Sequence, residues 1–203
     1  LKVTDKYFDF SIDEKQYPFE VKKHWITFKG EGWESPWMTD IEWRPEDRMI
    51  PPGTGDNTLG AYGVFYAFRC YRNKDGSVRA MIFDRPKITN PPREGDILIL
   101  RAGARDHSGM FLYRSKDIKL RNIDVFHTAG LGILGQYTEN ISADHVRLIP
   151  NHAKGRFFGG HDDGFHISNC KGLIKIENSE FEGLLDDPIN VHGTYVKIVE
   201  QKG

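Results

Sequence analysis

Apolar and polar residues alternate along much of this 203-residue chain, the period of half-buried β-strands, and convincing amphipathic helices are absent. The alternation appears in Tyr7-Phe8-Asp9-Phe10-Ser11-Ile12, in Phe19-Glu20-Val21 and in Trp25-Ile26-Thr27-Phe28. Gly30, Gly32 and Pro36 interrupt the next segment, and the Pro51-to-Asn57 cluster reads as a loop. A hairpin follows, with Val64 to Tyr71 and Ser77 to Phe83 flanking the turn residues Asn73-Lys74-Asp75-Gly76. Pro86, Pro91 and Pro92 then lead to Gly95-Asp96. Strands joined by hairpins and loops, without a short repeat, predict a small antiparallel barrel or sandwich over residues 1–96.

From Ile97 the pattern changes. Ser115–Phe126, Thr138–Ile149 and Asn169–Phe181 superpose, so that Ile118, Ile141 and Ile174 correspond. So do Ile123, Val146 and Ser179, and likewise Val125, Leu148 and Phe181. The intervals are 23 and 33 residues, and the longer one holds an extra loop, Pro150 to Gly160. Strand-patterned repeats of this length belong to a parallel β-helix or a leucine-rich solenoid, and the leucine-rich signature is missing. Residues 97–194 are therefore expected to form coils of a right-handed parallel β-helix, each burying its apolar face only by stacking on a neighbour. Residues 195–203 begin a further strand. Three coils without evident caps read as part of something larger.

One pair of runs stands out. His161-Asp162-Asp163-Gly164-Phe165-His166-Ile167-Ser168-Asn169 is followed by Leu184-Leu185-Asp186-Asp187-Pro188-Ile189-Asn190-Val191-His192-Gly193, and a 24-residue offset carries each acid pair onto the other. The same offset carries Phe165 to Ile189 and Ile167 to Val191. Coils one strand spacing apart, about 4.8 Å, would stack four carboxylates, whose repulsion should raise some of their pKa values. A protonated acid beside an ionised one is what glycoside hydrolysis needs. The bland alternative is that these Asp residues cap turns; two pairs in register, flanked by His and Asn, favour the catalytic reading. Strict alternation puts Asp162, His166, Asp186, Asn190 and His192 on the open face, and Asp163 and Asp187 with the core residues. Gly164 and Pro188 sit where a corner can break that parity.

Other features weigh less. His161, His166 and His192 resemble metal ligands, but hydrogen bonding to sugar hydroxyls or carboxylates is the commoner use and no metal is expected. Phe157 and Phe158 could stack on a sugar or simply pack, and Trp25, Trp33, Trp37 and Trp43 read mainly as core. Arg105-Asp106-His107 sits at a coil turn and is a minor candidate for lining the same face. Asn140-Ile141-Ser142 matches a glycosylation sequon but falls inside the repeat.

Composition adds bounds. Hydrophobic content is 38%, charged content 28%, and the formal net charge is −1, so nothing favours nucleic acid or an anionic membrane. No 18-residue apolar run is present to span a bilayer. Cys70 and Cys170 are too few for a disulfide framework and are expected to be free. The chain starts at Leu1 without Met and reads as a piece whose export signal lies elsewhere.

The run from Asp162 to Glu200 closely resembles the core of glycoside hydrolase family 110, exo-acting α-galactosidases that release terminal α-1,3-linked galactose from blood-group-B-like glycans. The resemblance rests on the Asp-Gly-Phe-His and Leu-Leu-Asp-Asp-Pro runs at their separation. It covers about Asp96 to Glu200 well and the preceding residues more loosely. It implies a β-helix with inserted small β-barrels, one over residues 1–96 and a second starting near Tyr195. It further implies secretion, no cofactor, metal independence and inversion at the anomeric carbon. The family's isolated catalytic Asp falls on Asp163, as general acid, and its adjacent pair on Asp186 and Asp187, as base. This sets Asp163 above the parity choice, Asp162, and leaves His161, Asp162, His166, Asn190 and His192 as substrate-binding residues. Inverting carboxylates stand about 6.5–9.5 Å apart, wider than one coil, so Asp163 should diverge from one of the pair. Two other readings remain: a polygalacturonase-like hydrolase, for which only Lys171 and Lys175 could hold a uronate, and a non-catalytic carbohydrate-binding solenoid. Without its preceding coils the piece is expected to be poorly active.

Overall fold

The computed structural model describes residues 2–54, 68–83, 91–102, 107–195 and 197–201. The protein is all-β, with a single turn of 3-10 helix at His152–Lys154 among the described residues. The chain divides into two units, Leu1–Ala104 and Arg105–Gly203.

The described strands of the first unit pair antiparallel. Strands β1 (Tyr7–Phe10), β6 (Val78–Ile82) and β5 (Phe68–Arg72) form one sheet, in that order. Strands β2 (Phe19–Lys22), β3 (Trp25–Gly30), β4 (Trp33–Trp43) and β7 (Ile97–Ala102) form the other. Alternation does the sorting: in β6, Val78, Ala80 and Ile82 are buried while Arg79 and Met81 are half-exposed. Those buried residues join Phe8, Phe10, Ile26, Phe28, Trp37, Phe68 and Cys70 in one core. The β5–β6 hairpin turns at Asn73–Gly76 as expected, with Gly76 at φ +87°, a left-handed conformation that glycine adopts without steric cost. The residues before Phe68 in the expected first strand lie outside the described residues. So do Gly55 to Asn57 of the Pro51 loop, Pro86, and Arg105 and Asp106.

Two boundaries differ from the sequence reading. Pro36 does not end a strand; β4 runs through it. Proline is tolerated there because β7 pairs only with the second part of β4, from Trp37 onward, which leaves the proline flank at an edge. Ile97–Ala102, assigned from sequence to the coils, pairs antiparallel with β4 and packs Leu98, Leu100 and Ala102 on the first core. Its continuous apolar run, Ile97 to Leu100, suits either partner, so pattern alone could not place it.

The second unit is parallel. Strands β8 (Met110–Tyr113), β10 (Ile133–Gln136), β12 (Phe165–Ser168) and β15 (Ile189–His192) lie side by side in one sheet. Strands β9 (Lys116–Val125), β11 (Glu139–Leu148) and β13 (Lys171–Glu177) form a second, with β14 (Glu180–Phe181) continuing the β13 side of β11. The chain alternates between the sheets, and each strand pairs with one a full repeat away. The superposition made from sequence is the register found: Ile141 pairs with Ile118 and Ile174, and Leu148 with Val125 and Phe181. Ser179 completes its column through its hydroxyl, which accepts the Val146 N–H at 3.2 Å.

Left-handed corners recur in step with the strands. Arg114, Tyr137 and Asn169 each follow a strand of the first sheet with φ between 46° and 52°. Asn122, His145 and Asn178 bend the second sheet in the same way. Each such non-glycine corner costs roughly 1–2 kcal/mol, a cost that stacking offsets. Asn169, for example, accepts the Thr194 N–H at 2.8 Å, and its own N–H reaches the His192 carbonyl at 3.0 Å. Ile133, Ile141, Ala143, Val146, Leu148, Phe165 and Ile167 fill the interior. Ile189 and Val191 share their parity but are exposed, because β15 is the edge strand among those described.

Candidate functional site

The 24-residue offset is physical register. Phe165 pairs with Ile189, His166 with Asn190, Ile167 with Val191 and Ser168 with His192. It extends back through the acids: the Gly164 N–H donates to the Asp187 carbonyl at 2.9 Å, and Gly160 bridges Leu184. Gly164 permits this approach, since a Cβ there would stand 2.5 Å from the Pro188 carbonyl oxygen. Asp163 and Asp187 therefore occupy equivalent corners of neighbouring coils. Asp186 joins them through a local turn, its Oδ1 accepting the Asp187 N–H at 3.1 Å.

One carboxylate oxygen each from Asp163, Asp186 and Asp187 falls within 4.8 Å of the other two. The three environments differ: Asp163 is buried, at 2% exposure, while Asp186 and Asp187 are exposed. Asp162 is not one of the three. It is 1% exposed, with its Oδ2 3.0 Å from His161 Nδ1. The parity argument, which placed Asp162 on the open face and Asp163 inward, fails at this corner because the chain bends at Asp162–Gly164 before the strand begins. The Asp163 side chain thus meets His166, a residue of the outward face.

That contact starts a line of hydrogen bonds. His166 Nδ1 lies 2.5 Å from Asp163 Oδ2, His166 Nε2 lies 2.9 Å from His192 Nε2, and His192 Nδ1 lies 2.8 Å from the Gly193 carbonyl. The carbonyl can only accept, so His192 Nδ1 donates. Three contacts need three hydrogens, whereas two neutral imidazoles bring two. Fully satisfied, the line holds one further proton, on the Asp163 carboxyl or on an imidazole. Asn190 stands beside His166 across the strand pair, half-buried. As hard donors, the three carboxylates are the kind of oxygens a divalent cation takes. The imidazole nitrogens facing them are already committed to Asp163 and to each other.

The remaining sequence candidates are dispersed. Phe158 is buried and Phe157 exposed. Trp37 is core, Trp25 packs near it at 6.5 Å between ring centroids, and Trp33 is exposed. Lys171 and Lys175 lie on β13 and pair with Glu139 and Glu177. Both cysteines are free, and burial pushes the Cys70 thiol up to about 12. Sequence reasoning missed the Gly193 carbonyl, the group that fixes the proton order, since a backbone atom leaves no signal in residue types.

Residues 1–98 match the family model described as GLAA-B β-barrel domain I. Almost the whole chain is similar to curated glycosidases. The α-1,3-galactosidase B of Bacteroides thetaiotaomicron is 44% identical over 97% of this chain, which spans 31% of that relative. The α-1,3-galactosidase A of Bacteroides fragilis is 36% identical over 90% of this chain and 29% of its own length. The α-1,3-galactosidase B of Akkermansia muciniphila is 28% identical over 98% of this chain and 24% of its own length. The chain is thus an all-β segment related to glycosidases. More narrowly, its relatives are the α-1,3-galactosidases A and B, and the resemblance read from the sequence is borne out. The chain spans about a third of the first of these relatives and less of the others.

Proposed function

We propose that the protein containing this chain is an exported exo-α-galactosidase that removes terminal α-1,3-linked galactose from glycans. In this reading residues 107–194 include coils of a right-handed parallel β-helix, and residues 1–102, with Ile97–Ala102 as the strand beside β4, belong to an inserted β-barrel. One observation carries it: three carboxylates converge at the corner of neighbouring coils, in a chain whose relatives are named α-1,3-galactosidases.

The chemistry follows from the asymmetry of that cluster. Asp163, joined to a line of imidazoles that holds an extra proton, protonates the glycosidic oxygen as the bond from it to the anomeric carbon breaks. Water attacks that carbon from the opposite face, and Asp186 or Asp187 takes its proton. Free galactose and the glycan hydroxyl leave, one water is consumed, the exposed base releases the water's proton to solvent, and a proton from solvent returns to Asp163 by way of the exposed His192. His161, Asp162, His166, Asn190 and His192 hold the substrate or orient the acids. A uronate-cleaving reading is disfavoured, because the two nearby lysines are paired with glutamates.

The test is galactose release by the full-length protein from a B-type oligosaccharide and from nitrophenyl α-galactoside, with polygalacturonate as control. No galactose from either galactoside rejects the proposal. Inversion is the stereochemistry the resemblance implies. Retention would instead need Asp186 or Asp187 to attack the anomeric carbon itself. Proton NMR of the first galactose released separates the two: β-galactose means inversion, α-galactose retention.

A further inference from the structure

The outward face of the β8–β10–β12–β15 sheet carries a second feature in line with the candidate acids. Register sets Phe111, Leu134, His166 and Asn190 in one row across the four strands. Tyr113, Gln136, Ser168 and His192 form the next. One end of both rows is the imidazole line attached to Asp163. The other end is aromatic: Phe111 is 53% exposed and Tyr113 44%. Their ring centroids are 5.3 Å apart with planes inclined by 33°, so together they make one gently bent platform. Tyr137, at the neighbouring corner, stands edge-on to Tyr113 at 6.1 Å, walling one side.

Neither ring belongs to the core among the described residues, although the Arg114 guanidinium stands over the Tyr113 ring at 5.2 Å from its centroid. Met110 and Leu112, the alternate residues of β8, are the ones that pack on the core. The platform lies two strand spacings from His166, about 10 Å, the reach of a disaccharide. A pyranose ring presents a face of C–H groups that packs against an aromatic π-surface, and rigid aromatic rings supply that area at little conformational cost. Between platform and imidazoles, the half-buried Gln136 offers amide donor and acceptor groups to sugar hydroxyls.

We infer that Phe111 and Tyr113 form a binding platform for the sugar residues on the leaving side of the scissile bond. It would take a neutral oligosaccharide, bound by ring stacking. This rests on the glycosidase reading and adds to it a determinant of substrate length.

The experiment uses the full-length protein and a Phe111→Ala/Tyr113→Ala double variant. Galactose release is measured from methyl α-galactoside, which has no sugar beyond the bond, and from a trisaccharide ending in α-1,3-linked galactose. The expected result is a loss of about 10- to 100-fold in kcat/KM on the trisaccharide, carried by KM, with methyl α-galactoside unchanged within about 2-fold. Equal losses on both substrates, or none on either, overturn the platform. Trisaccharide binding is also measured by calorimetry in an Asp163→Asn background, with and without the aromatic pair, so that the platform is tested even if no hydrolysis occurs. Weaker binding without the pair supports it, and unchanged or absent binding overturns it. Failure of the wild-type protein to cleave either substrate rejects the glycosidase reading separately.

Discussion

Each unit buries an aspartate almost completely, and the two fare differently. Asp40 in the first unit is 0% exposed, and neither of its carboxylate oxygens has a hydrogen-bond partner among the described residues. Burial, then the charge of Glu42, pushes its carboxyl up to about 7. Asp163 in the second unit is 2% exposed, yet it faces His166 and converges with two exposed carboxylates. Burial and an unusual carboxyl therefore do not by themselves mark a site; the second unit differs in setting a buried acid against two exposed ones. A cavity of about 310 Å³ lies in the first unit against Glu42, Arg44 and Arg93. Its charges are paired within the protein, Arg44 with Asp96 and Arg93 with Glu46.

The sharpest test of this contrast is removal of each buried acid. Asp163→Asn in the full-length protein should lower kcat about 10³- to 10⁴-fold on a galactoside with a poor leaving group, while its circular dichroism is unchanged. Asp40→Asn should leave kcat within about 2-fold. Equal losses from both would erase the distinction between them.

Next in size is a pH effect confined to the first unit. Asp40 has a folded pKa near 7 against an ordinary 3.8, so the folded state holds a proton that the unfolded chain releases. Its contribution is complete below about pH 4, declines as pH rises toward 7, and is gone above that, a swing on the order of 4 kcal/mol. Glu42, also raised to about 7 by burial and by its hydrogen bond to Asp96, acts in the same direction. Asp96 opposes it: burial would raise its carboxyl, but the Glu42 hydrogen bond and Arg44 hold it below the ordinary value. All four tryptophans lie in this unit, so their fluorescence during urea unfolding at pH 5 and pH 8 reads it selectively. Asp40→Asn should flatten most of the difference.

Smaller effects probe the two backbones. Gly164→Ala places a Cβ 2.5 Å from the Pro188 carbonyl oxygen, so it should cost roughly 2–3 kcal/mol. The loss should appear as faster amide exchange at Phe165, whose N–H donates to that same carbonyl at 3.0 Å. Gly76→Ala, in the first unit's hairpin, meets no atom within 4 Å and carries only the strain of φ +87°, about 1 kcal/mol. Thermal unfolding of both variants ranks them, and an equal penalty would refute close coil stacking as the reason for Gly164.

Repetition made the second unit legible. Columns such as Ile118, Ile141 and Ile174 follow from periodicity, because parallel strands one repeat apart must bring like residues together to share a core. The same logic fixed the pairing of Phe165 with Ile189 and brought two acid pairs to adjacent corners. The first unit offered only alternation. Its hairpin at Asn73–Gly76 was readable from turn chemistry, while the pairing of Ile97–Ala102 with β4 was not, because a strand's pattern does not name its neighbour. Nor did residue types decide which acid of the first pair meets Asp186 and Asp187. Parity chose Asp162, the family resemblance chose Asp163, and the backbone bend before Phe165 turns Asp163 toward His166. Sequence by itself determined the strands, the repeat and the neighbourhood of the carboxylates, since these depend on period and hydrophobicity. Tertiary structure decided which carboxylates converge and how the imidazoles between Asp163 and Gly193 order their protons, since those depend on corner geometry and on one backbone carbonyl.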